Sequence, residues 1–423
     1  MIQIPYERLT LDNGLRVILS AEKHAPIVAV NLWYKVGSRN ERPGRTGFAH
    51  LFEHMMFQGS SNVPDTSHFA FIEKAGGSLN GSTWLDRTNY YETVPAHYLE
   101  LALWLEADRM GFLLPAMTQE KLDNQRDVVK NERRWRVDNQ PYGDWDERLQ
   151  ALMYPSDHPY HHSVIGSMED LDAASLQDVE EFFRTYYAPN NAVLTVCGDF
   201  DRDRTLELIS RYFDGIPAGP PIPEIPGRAR VEPVLGEEKR QTVQQDISLP
   251  RTFIAYRIPP YGDEKFYAAD IAATILGTGK ASLLNRNLVL KNRTAQDVAA
   301  YAFPIVVGAA MMVMLATAAE GVEIERVEAD LLATVDSLRV VGDDDVERAM
   351  SIIEARQLTD LQRVDYRADI FSMMTTLFDD PARINTELER YRQVTTSDVR
   401  EFAAAFLGSN NRTVLTYVPK PGA

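Results

Sequence analysis

Apolar residues in the first third of the chain recur at two periods, and each period predicts its own kind of element. Residues 28–34, reading VAVNLWY, are rich in β-branched and aromatic side chains and predict a strand. Residues 9–19 break at Asp12-Asn13-Gly14 and predict a hairpin. Two further strands around a turn are expected within 76–95. Apolar positions three and four apart predict helices over 46–57, 67–75, 98–113 and 118–138. The last stretch holds good helix formers and neither Gly nor Pro. Strands grouped with helices in this manner define an α+β fold, a mainly antiparallel sheet with helices on one face.

The pattern then returns. Asp178, Val179, Glu181, Phe182, Asn190 and Asn191 recur as Asp398, Val399, Glu401, Phe402, Asn410 and Asn411, at a constant offset of 220. Each set leads into a strand, AVLTV at 192–196 and TVLTYV at 413–418. A duplicated domain explains six matches at one offset. A length of 423 residues suits two domains of about 200. Pro217, Pro220, Pro221, Pro223, Pro226 and Pro233 mark a semi-rigid linker, giving domains at 1–216 and 234–423 joined by 217–233. The apolar run 308–318 is too short to cross a bilayer and predicts a buried strand. Gly277-Thr278-Gly279-Lys280 lacks phosphate-loop spacing and reads as a turn.

The chemistry is concentrated at His50-Leu51-Phe52-Glu53-His54. At 3.6 residues per turn, positions 50, 53 and 54 share a helix face, so both imidazoles can grip one metal ion with Glu53 beside it. A carboxylate placed there can take a proton from a metal-activated water and return it to a leaving amine. This inverted His-x-x-Glu-His order is a zinc-peptidase motif. A catalytic zinc needs a third protein ligand, and Glu132 is the candidate. Leu122, Gln125, Val128, Val129 and Glu132 fall near one face of the 118–138 helix, and an acid on an apolar face wants a partner. A surface ion pair with Lys130, Arg133 or Arg136 is the competing reading. Around 267–279 the second repeat reads YAADIAATILGTG and carries no such motif.

Five stretches identify the sequence as resembling the pitrilysin or insulinase type of zinc peptidases, which includes mitochondrial processing peptidase and two-domain bacterial relatives. They are GFAHLFEHMMFQGS (47–60), GGSLNGSTWLDRTNYYETVP (76–95), VVKNERR (128–134), NQPYG (139–143) and HPYHHSVIG (158–166). The resemblance implies Zn2+ as cofactor, held by His50, His54 and Glu132, with Glu53 catalytic. It implies that Asn80 lies on an edge strand beside the zinc, where an extended peptide substrate adds as a further strand. A turn is the alternative for Asn80-Gly81. It also implies two homologous domains closing like a clamshell.

Two positions depart from that family. Gln125 stands where a supporting glutamate often lies, seven residues before the third ligand, and its amide is expected to tune the site. The family's second domain usually supplies an arginine and, seven residues later, a tyrosine for the substrate carbonyl. Val289 and Gln296 occupy those places here. The favoured account is a heteromer in which a homologous partner chain supplies the pair. A homodimer using Arg293 and Tyr301 is the alternative, and a non-catalytic core-type subunit is the competing class.

Charge and cysteine usage narrow the rest. A net charge of −17 argues against nucleic acid or an anionic membrane as partner and suits peptide substrates. Cys197, the only cysteine, excludes an internal disulfide and predicts a small buried residue in a strand. MIQIPYERL lacks the basic start and apolar run of a signal peptide, so a cytoplasmic home is expected, or a periplasmic one if a leader precedes residue 1. His158, His161 and His162 read as solvent-facing residues of a loop.

Overall fold

The computed structural model describes residues 3–227 and 230–421. They fall into two compact units. The first comprises Met1–Arg133, Ser163–Pro226 and Leu358–Thr386. Its strands are β1 (Glu7–Thr10), β2 (Arg16–Ala21), β3 (Ile27–Tyr34), β4 (Ser78–Thr83), β5 (Thr88–Pro95) and β6 (Ala192–Gly198). Their order across the sheet is β1-β2-β6-β3-β5-β4, with every neighbouring pair antiparallel except β2–β6. The hairpin expected at 9–19 is β1–β2, with Thr10 opposite Arg16. Gly14 takes φ +89° in its turn, the left-handed region that glycine enters without steric penalty.

Strands β3 and β6 are buried nearly end to end, which requires cover on both faces of the sheet. On one face the helices Phe48–Met55, Leu99–Phe112 and Leu176–Tyr186 pack Leu51, Phe52, Leu103 and Phe183 against Val17, Val30 and Leu32. On the other face lies the helix Val364–Phe378, whose Ala368 and Phe371 meet Ile18, Ala29, Trp33, Val193 and Cys197. Asp369 of that helix accepts hydrogen bonds from Trp33 Nε1 (2.8 Å), Asn89 Nδ2 (3.0 Å) and Asn31 Nδ2 (3.2 Å). The expectation of helices on one face only is therefore corrected. The burial of β3 and β6 on both faces is the physical reason.

The second unit comprises Arg134–His162, Gly227–Gln357 and Glu387–Ala423. Its strands are β7 (Lys239–Gln245), β8 (Arg251–Ile258), β9 (Ala295–Phe303), β10 (Ala310–Ala318) and β11 (Arg412–Pro419), ordered β7-β11-β8-β10-β9. Only β7–β11 is parallel. The apolar run 308–318 supplies β10, buried along nearly all its length. The helix Trp145–Met153 covers part of this sheet, with the Trp145 ring stacked on Phe253 at 5.1 Å between centroids.

The offset of 220 holds in three dimensions. Ser175 and Thr395 each close a capping box with the aspartate three residues on, Asp178 and Asp398, at the start of the helices Leu176–Tyr186 and Thr396–Phe406. Asn191 Nδ2 donates to the Tyr186 carbonyl and Asn411 Nδ2 to that of Phe406, tying down the far end of each helix. Trp145–Met153 and Val364–Phe378 are also counterparts, and each lies in the unit built mainly from the other repeat. Chain order alone, which suggests a division at 217–233, carries no trace of that exchange.

Candidate metal centre

The histidine motif falls on the helix Phe48–Met55, whose buried side carries Leu51, Phe52 and Met55. Burying those residues turns His50, Glu53 and His54 to the flank that faces the neighbouring helix Gln119–Arg133. On that helix Leu122, Gln125 and Val129 are buried at spacings of three and four, and Glu132 continues the stripe. Val128 does not belong to it, being 40% exposed at the helix flank. The regular helix stops at Arg133 and widens into a π turn over Arg134–Asp138.

His50, His54 and Glu132 converge, each offering one ligand atom within 4.8 Å of the others. His54 Nε2 lies 3.3 Å and His50 Nε2 3.7 Å from Glu132 Oε2. The two rings are 4.9 Å apart and nearly perpendicular. Ligand atoms held about 2.0–2.1 Å from a tetrahedral ion stand roughly 3.4 Å from one another, so two imidazoles and a carboxylate at these separations fit zinc in donor type and spacing. All three side chains remain partly exposed, at 13%, 23% and 17%. An open coordination position can therefore reach solvent. Among the described residues, this is the one cluster of three or more such groups close enough to hold a metal ion.

Glu53 sits beside this cluster and is held from the sheet. Thr83 Oγ1 donates to Glu53 Oε2 at 2.6 Å. Burial raises the Glu53 carboxyl above its ordinary range, against the Thr83 hydrogen bond and the nearby His54 and Arg87, which lower it. Gly81, two residues before Thr83 and so on the same strand face, makes room for it. A Cβ on Gly81 would stand 3.2 Å from both Glu53 Cγ and Glu53 Oε1. Neither Thr83 nor Gly81 emerged from the sequence reading. The signal was present in GGSLNGSTW, where alternate positions had to face the histidine helix once 78–83 was a strand.

Asn80 lies on β4, an edge of the six-stranded sheet, opposite Tyr91 of β5. The turn falls later, where Trp84 N donates to the Arg87 carbonyl. By alternation, the Asn80 side chain faces away from the sheet face that bears Glu53. Its Oδ1 accepts the Gly81 N–H at 2.9 Å. In an antiparallel pair a residue not bonded to its partner directs N–H and C=O outward, so Gly81 presents its main chain to the open edge.

Gln125 is buried on the helix that bears Glu132, two turns before it. In the second unit, Val289 lies partly buried in the π turn Asn285–Lys291, and Gln296 is exposed on β9. Arg293, just before β9, is exposed with φ +54°, and Tyr301 is 52% exposed on β9. His158 is not solvent-facing as expected. It is 2% exposed, with its ring stacked on Tyr154 at 4.7 Å and Nδ1 accepting the Tyr160 N–H. An imidazole between aromatic rings that also caps a turn gains more from packing than from hydration. His161 Nδ1 donates to the Tyr154 carbonyl. Cys197 is buried in β6, as expected.

A two-unit α+β chain in which two histidines and a glutamate converge, with a second carboxylate alongside, defines the class of fold and site, and sequence comparison assigns the family. Residues 16–158 match the model described as insulinase (peptidase family M16), and residues 173–353 match the peptidase M16 inactive domain. The chain belongs to peptidase family M16. It is 33% identical over 294 residues to the zinc protease PqqE of Helicobacter pylori, an alignment covering 69% of this chain and 65% of that protein. A Mycobacterium leprae protein named as an uncharacterized zinc protease is 33% identical over 66% of this chain and 61% of its own length. The alignment thus spans a little under two thirds of these curated relatives. The crystal structure of a protease from Helicobacter pylori superposes with TM-score 0.92 at 26% identity, covering 99% of this chain and 100% of that one. Among the described residues, no helix is long and apolar enough to cross a membrane.

Proposed function

We propose that this chain is a zinc-dependent endopeptidase acting on peptides or small unfolded polypeptides. The observation that carries the reading is the convergence of His50, His54 and Glu132, with Glu53 alongside and hydrogen-bonded to Thr83 of the open edge strand β4. The names of the zinc protease relatives support the choice of metal. His50 and His54 would hold the ion through Nε2, and Glu132 through a carboxylate oxygen. When bound, zinc lowers the pKa of water to about 7 and polarises a peptide carbonyl.

The chain's own residues do the rest. Glu53 accepts the proton of the attacking water and donates it to the departing amine, so one carboxyl serves as base and then as acid. Thr83 fixes the orientation of that carboxyl, and Gly81 gives it room. The substrate extends along β4, paired through the outward main chain of Gly81, with the Asn80 amide exchanging its local bond as the peptide arrives. Main-chain pairing sets no side-chain preference, which suits a peptidase of broad choice.

The second repeat offers Val289 and Gln296 where a carbonyl-binding arginine and tyrosine are expected. That substitution favours a heteromer in which a homologous partner supplies both groups. A match to a protein named as a probable mitochondrial-processing peptidase subunit beta, 24% identical over 66% of this chain, is in keeping with a subunit role. The test is zinc binding by the purified chain and by Glu132→Gln. About one zinc per chain, lost in the variant, supports the centre. A chain that binds no zinc would return the non-catalytic core-type reading to the front.

A further inference from the structure

Each unit carries a groove along the same face of a duplicated helix. In the first unit Asp178, Glu181, Phe182, Thr185 and Tyr186 line a cavity of about 340 Å³. In the second, the residues 220 later, Asp398, Glu401, Phe402, Ala405 and Phe406, line one of about 400 Å³. Repetition of five lining positions makes these one structural feature present twice.

What covers the two differs. The first groove is walled by the chain's own Pro220, Pro221 and Pro223. Asn190, just beyond the helix, clasps the start of that strip. Its Oδ1 accepts the Gly219 N–H at 2.8 Å, and its Nδ2 donates to the Gly219 carbonyl at 3.2 Å. A proline strip has few N–H groups of its own, so one amide reading both a donor and an acceptor fixes its register. The prolines share the lining of this groove with the aromatic residues Phe48, Phe182 and Tyr186.

In the second unit no proline segment lines the groove among the described residues. The floor is again aromatic, with Phe402, Phe406 and Tyr267, and the Lys265 ammonium lies 6.0 Å from the Phe406 ring. Asn410, the counterpart of Asn190, is exposed, and its side chain makes no hydrogen bond among the described residues. Ala404 and Ala405 are exposed beside it, small enough for a backbone to approach closely.

We propose that this second groove binds an extended, proline-rich segment of a partner polypeptide, anchored at its asparagine as Asn190 anchors the proline strip that walls the first groove. Asn410 grips the backbone of the residue ahead of the prolines, and the proline rings pack over Phe402 and Phe406. A proline-rich chain is already extended before binding, so little conformational freedom is lost on docking, and aromatic grooves are suited to such segments. The groove is separate from the metal centre, and the proposal stands without the peptidase reading.

The test uses the full chain and a fluorescein-labelled peptide with the sequence of residues 218–226, AGPPIPEIP, followed by fluorescence anisotropy with peptide integrity checked by mass spectrometry. Saturable binding is expected. Ala405→Arg, at an exposed position, should abolish it. Asn410→Ala should weaken it roughly fivefold, the loss of a net hydrogen bond of about 1 kcal/mol. A peptide with alanine at every proline should not bind. Unchanged melting temperatures for both variants establish that the fold is intact. No saturable binding at millimolar protein, equal binding by Ala405→Arg, or equal binding of the alanine peptide would each overturn the proposal.

Discussion

Thr83 Oγ1 donates a 2.6 Å hydrogen bond to Glu53 Oε2, linking an edge strand to the carboxylate beside the paired histidines. The bond joins the two parts that the proposed reaction requires, a strand edge that receives the substrate and a base that must point at water. Thr83→Val keeps the shape and removes the donor. Hydrogen bonds to charged groups are worth about 1.5–3 kcal/mol, so peptide turnover should fall by roughly one to two orders of magnitude with zinc content unchanged. Steady-state kinetics paired with metal analysis checks this.

Gly81→Ala tests the space rather than the bond. The added methyl would stand 3.2 Å from Glu53 Cγ and Oε1 and 3.1 Å from Phe57 Cε2. Contacts that tight force the Glu53 side chain to move by a few tenths of an ångström, and catalytic geometry tolerates little displacement. Turnover should drop at least about tenfold, while the melting temperature and zinc content stay near those of the parent. Wild-type turnover in this variant would show that the close approach of β4 has no catalytic meaning.

The exchanged helices predict how the chain behaves when cut. A fragment of residues 1–216 lacks Val364–Phe378 and so exposes Ile18, Ala29, Trp33, Val193 and Cys197, together with the three donors that meet Asp369. Such a patch on a sheet face is an aggregation hazard. Expressed alone, the fragment should be insoluble or unfolded, and co-expression with residues 217–423 should recover soluble complex. Gel filtration and circular dichroism decide the matter. A monomeric, cooperatively melting 1–216 fragment would contradict the exchange.

Legibility followed periodicity. The hairpin around Gly14 was readable from its turn residues, strand β3 from its β-branched and aromatic content, and the three helices at 48–55, 67–74 and 99–112 from apolar positions at helical spacing. The histidine pair was readable because its chemistry lies within five residues of one helix. Glu132 needed both its helix face and the family resemblance, since a lone acid in a charged helix has many partners available. The cover on the second sheet face was not readable, because the mostly apolar run AVLTVCG in β6 says that two faces are buried but not which helix does it. Thr83 and Gly81 were missed for a related reason. Alternation puts both on one strand face, but that this face packs on the histidine helix is a tertiary fact. His158 was misplaced because a loop rich in histidine reads as polar until Tyr154 and Tyr160 enclose it.

Acid sensitivity should carry a signature of His68. This imidazole is fully buried near Arg109, whose guanidinium is in turn bound by Glu106 and Glu92. Burial, with Arg109 adding to it, lowers its pKa to about 4, against an ordinary value of about 6.5. Between those values the unfolded chain binds the proton and the folded chain does not, so this contribution to stability is complete above pH 6.5 and is lost as the pH falls towards 4. His68→Gln removes the titration. The stability difference between parent and variant should shrink by on the order of 3 kcal/mol between pH 7 and pH 4, as read by urea unfolding at several pH values. A difference independent of pH would show that His68 does not resist protonation in the folded state.

The central claim concerns a zinc centre with Glu53 as its proton-transfer group, and the most direct measurement is made on Glu53→Gln beside the parent chain. Zinc content and cleavage of a fluorogenic peptide are determined in the same samples, alone and after addition of a homologous partner chain bearing the arginine and tyrosine. About one zinc per chain is expected in both proteins, with cleavage on mixing by the parent but not by the variant. Parent chain without zinc, or Glu53→Gln cleaving as fast as the parent, would contradict it.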